Sequence, residues 1–557
     1  MATETHETER KYDLDDFDPG APLPGLGSVP GVRAETGGEV HELDAVYYDT
    51  ADLRLASTRA TLRRRTGGDD AGWHLKLPVG GDTREELRLP LEEPGAETAG
   101  AGSGVERAGA GSGVERAGPG SGGGAGEREP GGRAADGDSG GGAVPEEFVR
   151  VLAARTRGAA LVPVVRLRTR RTTRLLRDAE GRALAEIADD AVRAERLDGQ
   201  ERASGWVSWR EAEVELTEAG TAALLDGVEE RLREAGIRRA AGPSKLARAL
   251  TDTGTPPPPL APAAERDTAG GHLLRYLRAQ YLAFLDHEAG TRRARPDSVH
   301  KARVALRRTR SALRSHRALL DRARVDALRA ELKWLAGELG ADRDREVLEK
   351  RLRELLADVE GPLLLGPAEA RLTAWAVRAG DTSRARALAA LDDPRCRALL
   401  DDWANLLAAP PLTPAAVRPA PKHFRKAIKK ERRRSRRLLT RALALPHGPA
   451  RDVALHEARK KTKRLRYAAE SARPVLGKPA KRLTREAKAL TSLLGDHHDG
   501  VEARAALLRL ATHAQTAGEP GFTWGLLYGR EEGRAREYER RARAYEAEMA
   551  RRWAGGE

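Results

Sequence analysis

Apolar residues recur at every second position in the first half of this chain and at every third or fourth position in the second half. Segments 44–48, 60–65, 72–77, 85–91, 161–169, 183–187 and 209–216 alternate with period two, which predicts strands buried on one face. In that half only 145–156 and 221–235 fit helices. Segments 271–287, 299–319, 325–340, 424–445, 455–476 and 480–494 carry apolar stripes of helical period. The pattern predicts an α+β fold class, a β domain followed by an all-α helical domain.

Two stretches interrupt the pattern. Thr255-Pro-Pro-Pro-Pro-Leu-Ala-Pro262 can neither continue a helix nor join a sheet, which predicts a stiff linker, 251–267, between domains at 1–250 and 268–557. Residues 95–143 hold 19 of the 58 glycines and a tandem nine-residue repeat, AGSGVERAG, a composition expected to be disordered. Strand patterns flank it, so it is expected to be an insertion within the first domain.

A loop with five prolines, 408–421, splits the helical half into two parts that repeat each other. His300, Arg303, Arg307, Arg308 and Arg310 lie over His456, Arg459, Lys463, Arg464 and Arg466 at identical spacing. Further on, Lys333, Leu339-Gly340 and Asp344 match Lys488, Leu494-Gly495 and Asp499. An internal two-fold duplication follows.

Charge separates the halves. The net charge of +14 divides into 36 basic and 48 acidic residues at 1–267, against 62 basic and 36 acidic at 268–557. Such an asymmetry predicts different tasks, with a polyanionic partner for the second half. The run from Lys422 to Arg437 carries ten basic residues and one acid, Glu431. A lone cysteine, Cys396, excludes an intrachain disulfide or a cysteine-built metal site. No run approaches the roughly 18 apolar residues of a membrane span, and the polar start has no signal-peptide stretch. A soluble cytoplasmic protein without a membrane partner is expected.

The strands place their charges by kind. Glu211, Glu213 and Glu215 share one face, as do Arg63 with Arg65, His74 with Lys76, Arg166 with Arg168 and Arg170, and Glu7 with Glu9 and Lys11. A solvated face mixes charge types; whole strands of carboxylate or guanidinium suggest an interior that holds cations and anions together. Hard oxygen donors favour Mg²⁺ or Mn²⁺ bridging to phosphate oxygens. No Walker A loop or Ser/His/Asp set offers a competing mechanism.

Glu7-Thr-Glu9-Arg-Lys11 resembles the ExExK signature of the CYTH domains, the triphosphate tunnel metalloenzymes. Tyr47-Tyr-Asp49-Thr, Leu62-Arg63-Arg-Arg65, Leu75-Lys76, Glu211-Ala-Glu213-Val-Glu215 and Ser244-Lys245 extend the resemblance over about 3–250. It implies an antiparallel eight-stranded tunnel. By position it makes Glu7, Glu9, Glu213 and Glu215 metal-side carboxylates and Glu211 a base or water-orienting group. Lys11, Arg63, Arg65, Lys76, Arg168, Arg170 and Lys245 would grip phosphates, with Lys76 and Glu211 as catalytic candidates. Asp189 is a looser match.

The second half resembles the CHAD domain, a conserved-histidine α-helical family that binds inorganic polyphosphate, over about 270–550. The resemblance rests on His300/Arg303 with Gly340–Asp344 and their second copies, and it assigns the repeat cations, Lys333 and Lys488 included, to phosphate binding. His300 and His456 are expected in phosphate or structural roles. Nucleic acid is an unlikely partner, because the basic segments offer only Phe424 and Tyr467 for stacking. Together the two resemblances imply metal-dependent hydrolysis of inorganic triphosphate or polyphosphate beside a polyphosphate-binding module, in the cytoplasm and near polyphosphate granules. The rival readings are a binding protein with a degenerate tunnel and another CYTH activity, adenylate cyclase or thiamine triphosphatase.

Overall fold

The computed structural model describes residues 2–18, 20–80, 82–91, 143–198, 203–261 and 267–554; nearly all of the glycine-rich stretch at 95–143 lies outside the described residues. Strands β1 (Thr3–Asp13), β2 (Ala34–Asp49), β3 (Thr61–Thr66), β4 (Gly72–Gly80), β5 (Thr83–Leu89), β6 (Val162–Arg177), β7 (Ala183–Leu197) and β8 (Ala203–Leu216) form one antiparallel sheet. Their order is β5-β4-β3-β2-β6-β7-β8-β1, and β1 closes the ring. It pairs residues 3–8 with β5 and residues 9–13 with β8. A two-residue β9 (Arg238–Arg239) extends the β1 edge. Strands β6 and β7 run well past their predicted ends, because ladder pairing carries them where the side-chain alternation has stopped.

Short helices α1 (Arg54–Ser57), α2 (Glu146–Val151), α3 (Ala153–Thr156), α4 (Ala222–Glu234) and α5 (Lys245–Asp252) belong to this half. Helices α2 and α4 cover apolar patches on the outside of the ring. Ala212 and Val214 pack under Leu224, Leu225 and Val228 of α4; Leu62, Trp73 and Leu75 pack under Phe148, Val151 and Leu152 of α2 and its neighbour. Inside, one end is apolar: Val165, Leu167, Val192, Ala194 and Trp209 surround Leu246, Ala249 and Leu250 of α5, which stops the ring like a plug. The rest of the interior is charged.

The helical half comprises α6 (Ala269–Arg292), α7 (Ser298–Ser315), α8 (Arg322–Glu338), α9 (Gly340–Ala357), α10 (Ala368–Asp392), α11 (Pro394–Ala408), α12 (Ala420–Ala444), α13 (Pro449–Ser471), α14 (Arg473–Leu476), α15 (Lys478–Thr516) and α16 (Phe522–Ala554). The repeat motifs fall on α7 and α13, which pack against each other. Where the first copy breaks between α8 and α9, α15 runs on unbroken through Gly495. Helices α9, α10, α11 and α16 lie outside the predicted set; α16 is so rich in charge that its apolar stripe is sparse. None of the helices among the described residues is long and apolar enough to cross a membrane.

The two halves touch. Arg155 of α3 is fully buried, donates to the Leu285 carbonyl at 3.2 Å and pairs with Asp286 of α6. Leu260, in the proline-rich segment, packs into the helical core, so that part of the expected spacer is held against the second domain. Because Leu75 is fully buried between the ring and α2, Leu75→Ala should cost about 2–5 kcal/mol. A urea unfolding midpoint left at the wild-type value would contradict this outer packing.

Candidate active site and basic groove

The charged part of the ring interior is a cavity of about 630 Å³, its open mouth included. Every ring strand but one sends side chains into its wall: Glu7, Glu9 and Lys11 from β1, Tyr47 from β2, Arg63 and Arg65 from β3, His74 and Lys76 from β4, Arg84 and Arg88 from β5, Arg171 from β6, and Glu213 and Glu215 from β8. Strand β7 contributes Asp190 from behind, and Lys245 enters at the first position of α5, whose N-cap is Ser244. Eight cations and five carboxylates (with Asp70) line the cavity. Glu86, Asp190 and Glu211 stand behind them and pair with Lys76, Arg171 and Lys245, so the wall as a whole is neutral.

The neutrality is local. Lys245 Nζ lies 2.9 Å from Asp190, 2.8 Å from Glu211 and 2.6 Å from Glu213. Lys11 pairs with Glu213, which Arg171 also reaches at 2.7 Å. Burial alone would raise Glu213, but Lys11, Lys245 and Arg171 hold it well below the usual carboxylate range. Lys76 pairs with Glu7. Trp209 donates to Glu211 at 2.6 Å and fixes that carboxylate beneath Lys245, behind the cavity wall.

Two parts of the wall are crowded by like charge, with opposite sign. At Glu215, burial and then Glu7, with Glu9 and Glu213 adding to it, push the carboxyl up to about 7, and no cation of the described residues lies within ion-pair distance of it. Across the cavity, burial and then Arg63 and Arg171 bring Arg65 down to about 9, although Asp70 pairs with one end of its guanidinium. Arg63 Nε and Arg65 Nε are both buried without a hydrogen-bond partner. One wall therefore favours a cation and the other an anion.

Two predicted residues stand elsewhere. Arg168 and Arg170 face outward, with side chains 48% and 65% exposed, and pair with Glu195 and Glu42. Val165 and Leu167, on the opposite face of β6, are the residues around the α5 plug, so the inner face carries Arg171 instead. The same shift by one position puts Asp189 outside, paired with Arg210 at 2.7 Å, and Asp190 inside. Arg84, Glu86, Arg88, Arg171 and Asp190 were missed. The β5 pattern in Arg84-Glu-Glu86-Leu-Arg88 carried a signal, since its period-two positions are all charged.

In the helical half, Arg303 donates to the Gly340 carbonyl at 3.0 Å, and a Cβ on Gly340 would stand 2.6 Å from its Nη2. Arg459 lies against Gly495 in the same way, at 3.3 Å. The duplicated arginine and glycine thus pack together, an arrangement the spacing did not reveal. The Asp344 side chain lies outside the described residues. His456 stacks on His498 with ring centroids 4.0 Å apart. His300, Lys333 and Lys488 are exposed.

The other repeat cations meet between α7 and α13. Arg308 and Arg466 share Glu470, at 3.0 and 2.8 Å. Burial, then Arg307, Arg329 and Arg314, lower the Arg310 guanidinium. Burial, then Arg314, lower Arg464, with Arg434 and Arg329 adding to the effect. Arg314 and Arg329 complete the cluster and were not predicted. Phe424 and Tyr467 are buried, so neither offers a face to a base.

These observations define a class: a ring of strands around a cavity of opposed charges, joined to a duplicated helical domain with a cation cluster between its two repeat helices. The CYTH domain model matches residues 6–250 and the CHAD domain model residues 275–508. An uncharacterized protein of Mycobacterium tuberculosis, Rv2226, is 34% identical over 536 residues, which are 94% of this chain and 92% of that one. The chain belongs to the family of proteins in which a CYTH domain precedes a CHAD domain. Among solved structures, PptA from Streptomyces chartreusis is 28% identical, covering 49% of this chain and 99% of that one, with a TM-score of 0.42. The CHAD domain from the plant Ricinus communis is 26% identical, covering 52% and 94%, with a TM-score of 0.39.

The Glu215 carboxyl keeps its proton below about pH 7 and loses it above, so a proton competes with any cation at that wall. The affinity for Mn²⁺ should therefore rise between pH 6 and 8, and Glu215→Gln should flatten the rise. Titration of Mn²⁺ by electron paramagnetic resonance at each pH checks this; a pH-independent affinity in the wild type would refute it.

Proposed function

We propose that the CYTH domain hydrolyses inorganic triphosphate or the end of a polyphosphate chain with a divalent metal, and that the CHAD domain holds polyphosphate. The observation that carries this reading is the crowding of like charge, with opposite sign, on the two cavity walls. A free anion would satisfy Arg63 and Arg65 and leave the Glu7, Glu9 and Glu215 wall crowded; a metal–phosphate complex satisfies both.

The donor set fits a hard cation, since Glu7, Glu9, Glu213 and Glu215 offer carboxylate oxygens only. Those residues would hold Mg²⁺ or Mn²⁺, which when bound polarises a phosphoryl oxygen and offsets the charge that develops on it. Arg63, Arg65 and Arg171 bind the phosphate oxygens opposite. Lys76, paired with Glu7, bridges the two walls. Lys11 and Lys245 hold Glu213 ionised and fixed in place. Glu211 acts as a positioning residue: it sits under Lys245 and steadies that ammonium. Phosphoryl transfer to water depends mostly on such positioning and charge neutralisation, which this chain supplies without a nucleophilic side chain.

In the groove, Arg307, Arg310 and Arg464 with Arg314 and Arg329 would neutralise the phosphates of a bare chain, and Lys463 and Arg308 flank them. Arg303 and Arg459 support the helices on which these cations stand. Cytoplasmic placement beside polyphosphate granules belongs to the same proposal.

Phosphate release from triphosphate, ATP and long polyphosphate, with and without Mg²⁺ or Mn²⁺, tests the first part. Metal-dependent release from triphosphate is expected, and Glu215→Gln should reduce it by more than the about 10–100-fold typical of an outer-shell partner. Conversion of ATP to a cyclic product as the main reaction, or no turnover at all, would overturn it.

For the groove, polyphosphate affinity should fall linearly with salt on logarithmic axes, through release of condensed counterions. Combined Arg310→Glu and Arg464→Glu should lower that slope by about two. Single-stranded DNA that competes as well as polyphosphate at every salt concentration would show that the groove reads charge density alone.

A further inference from the structure

Outside both sites, α13, α15 and α16 bring together Asp452, His497 and Glu539. Their facing atoms, Asp452 Oδ1, His497 Nε2 and Glu539 Oε1, all lie within 4.8 Å of one another. His497 is only 2% exposed, and its Nε2 has no hydrogen-bond partner; the same is true of Asp452 Oδ1. The nitrogen stands 3.4 Å from Asp452 Oδ1 and 3.6 Å from Glu539 Oε1. Both separations exceed the about 2.7–3.2 Å of a formed hydrogen bond. They are close to the about 3.3–3.4 Å edge between ligand atoms of a tetrahedral ion bound at about 2.0–2.1 Å.

The surroundings hold these groups as ligands are held. Arg504 pairs with the other oxygen of Asp452 at 2.8 Å, and Arg451 with the other oxygen of Glu539, leaving Oδ1 and Oε1 turned toward the imidazole. His447 Nδ1 lies 3.0 Å from Glu539 Oε1, the facing oxygen itself, and takes one of its lone-pair directions, whereas the two arginines bind the far oxygens. Such bonds to the far side of coordinating carboxylates fix ligand orientation. Asp452, Glu532 and Glu539 are matched by Arg451, Arg504 and Arg536, and His447 stands between Glu532 and Glu539, so the site rests on the geometry of its donor atoms and not on an excess of charge.

We infer that Asp452, His497 and Glu539 form a binding site for a divalent transition-metal ion of the Zn²⁺ class, which ties α13, α15 and α16 together. The imidazole nitrogen selects against Mg²⁺, which the carboxylate oxygens of the CYTH cavity suit. The site is private to the second repeat, because the duplication aligns Asp452 with Pro296 and His497 with Asp342. It holds structure; it lies apart from the groove cations and contributes nothing to hydrolysis.

The test uses the full chain after dialysis against a chelator. Co²⁺ serves as a spectroscopic probe, since a nitrogen-ligated low-coordinate site gives visible ligand-field bands, and Zn²⁺ as competitor. One equivalent of Co²⁺ should produce these bands, one equivalent of Zn²⁺ should abolish them, and millimolar Mg²⁺ should leave them unchanged. Zn²⁺ should also raise the unfolding temperature of the wild type. Both responses should disappear in His497→Asn and persist in Glu215→Gln, which alters the cavity of the CYTH domain. If His497→Asn folds poorly, the wild-type titration still decides. Absence of bands and of a thermal shift at one equivalent would overturn the site. Bands lost in Glu215→Gln and kept in His497→Asn would assign the ion to the cavity instead.

Discussion

A buried charge is tolerated only with a partner, and the β ring is organised around that constraint. Its interior carries eight cations and, counting those behind the wall, eight carboxylates, so folding needs no ligand to neutralise the cavity. The pairing is complete in some places and strained in others. Glu213 sits among Lys11, Lys245 and Arg171, whereas Glu215 is crowded by carboxylates and Arg65 by guanidiniums. The two strained places have opposite signs and face one cavity. That arrangement gives the metal–phosphate reading its physical content.

A charged interior moves much of the apolar packing to the outside of the ring. Helix α4 and the α2–α3 pair cover different parts of that surface, and α5 closes one end from within. Lys245 and Leu246 are adjacent on α5: one serves the cavity and the other the plug. The α2–α3 pair also meets the helical half through Arg155 and Asp286, so the element that covers the ring is the element that joins the domains.

In the helical half the same repeat residues do different work. Arg303 and Arg459 lie flat on Gly340 and Gly495, where a side chain would collide with the guanidinium or press on it. Arg310 and Arg464 crowd other cations across α7 and α13. Arg303 and Arg310 stand three and ten residues past His300, near one helical stripe, and Arg459 holds the place of Arg303 in the second copy, whereas Arg464, eight residues past His456, stands off that stripe.

Much was legible in the chain itself. Period-two alternation with charges sorted by kind marked the ring strands, and the exact repetition around His300 and His456 marked the duplication. Glu7, Glu9, Lys11, Arg63, Arg65, Lys76, Glu213, Glu215 and Lys245 meet in one cavity as their alternation and the family resemblance implied. Tertiary structure decided which face of each strand is inside. Alternation fixes two faces but not their sense, and the interior changes from charged to apolar along its length. On β6 this reversed the reading, placing Arg168 and Arg170 outside and Arg171 within. Proximity between distant segments was equally invisible: Arg459 upon Gly495, or Asp452 beside His497 and Glu539, arises from helix packing. No local pattern encodes a distance between helices, because packing depends on side chains contributed by several elements at once.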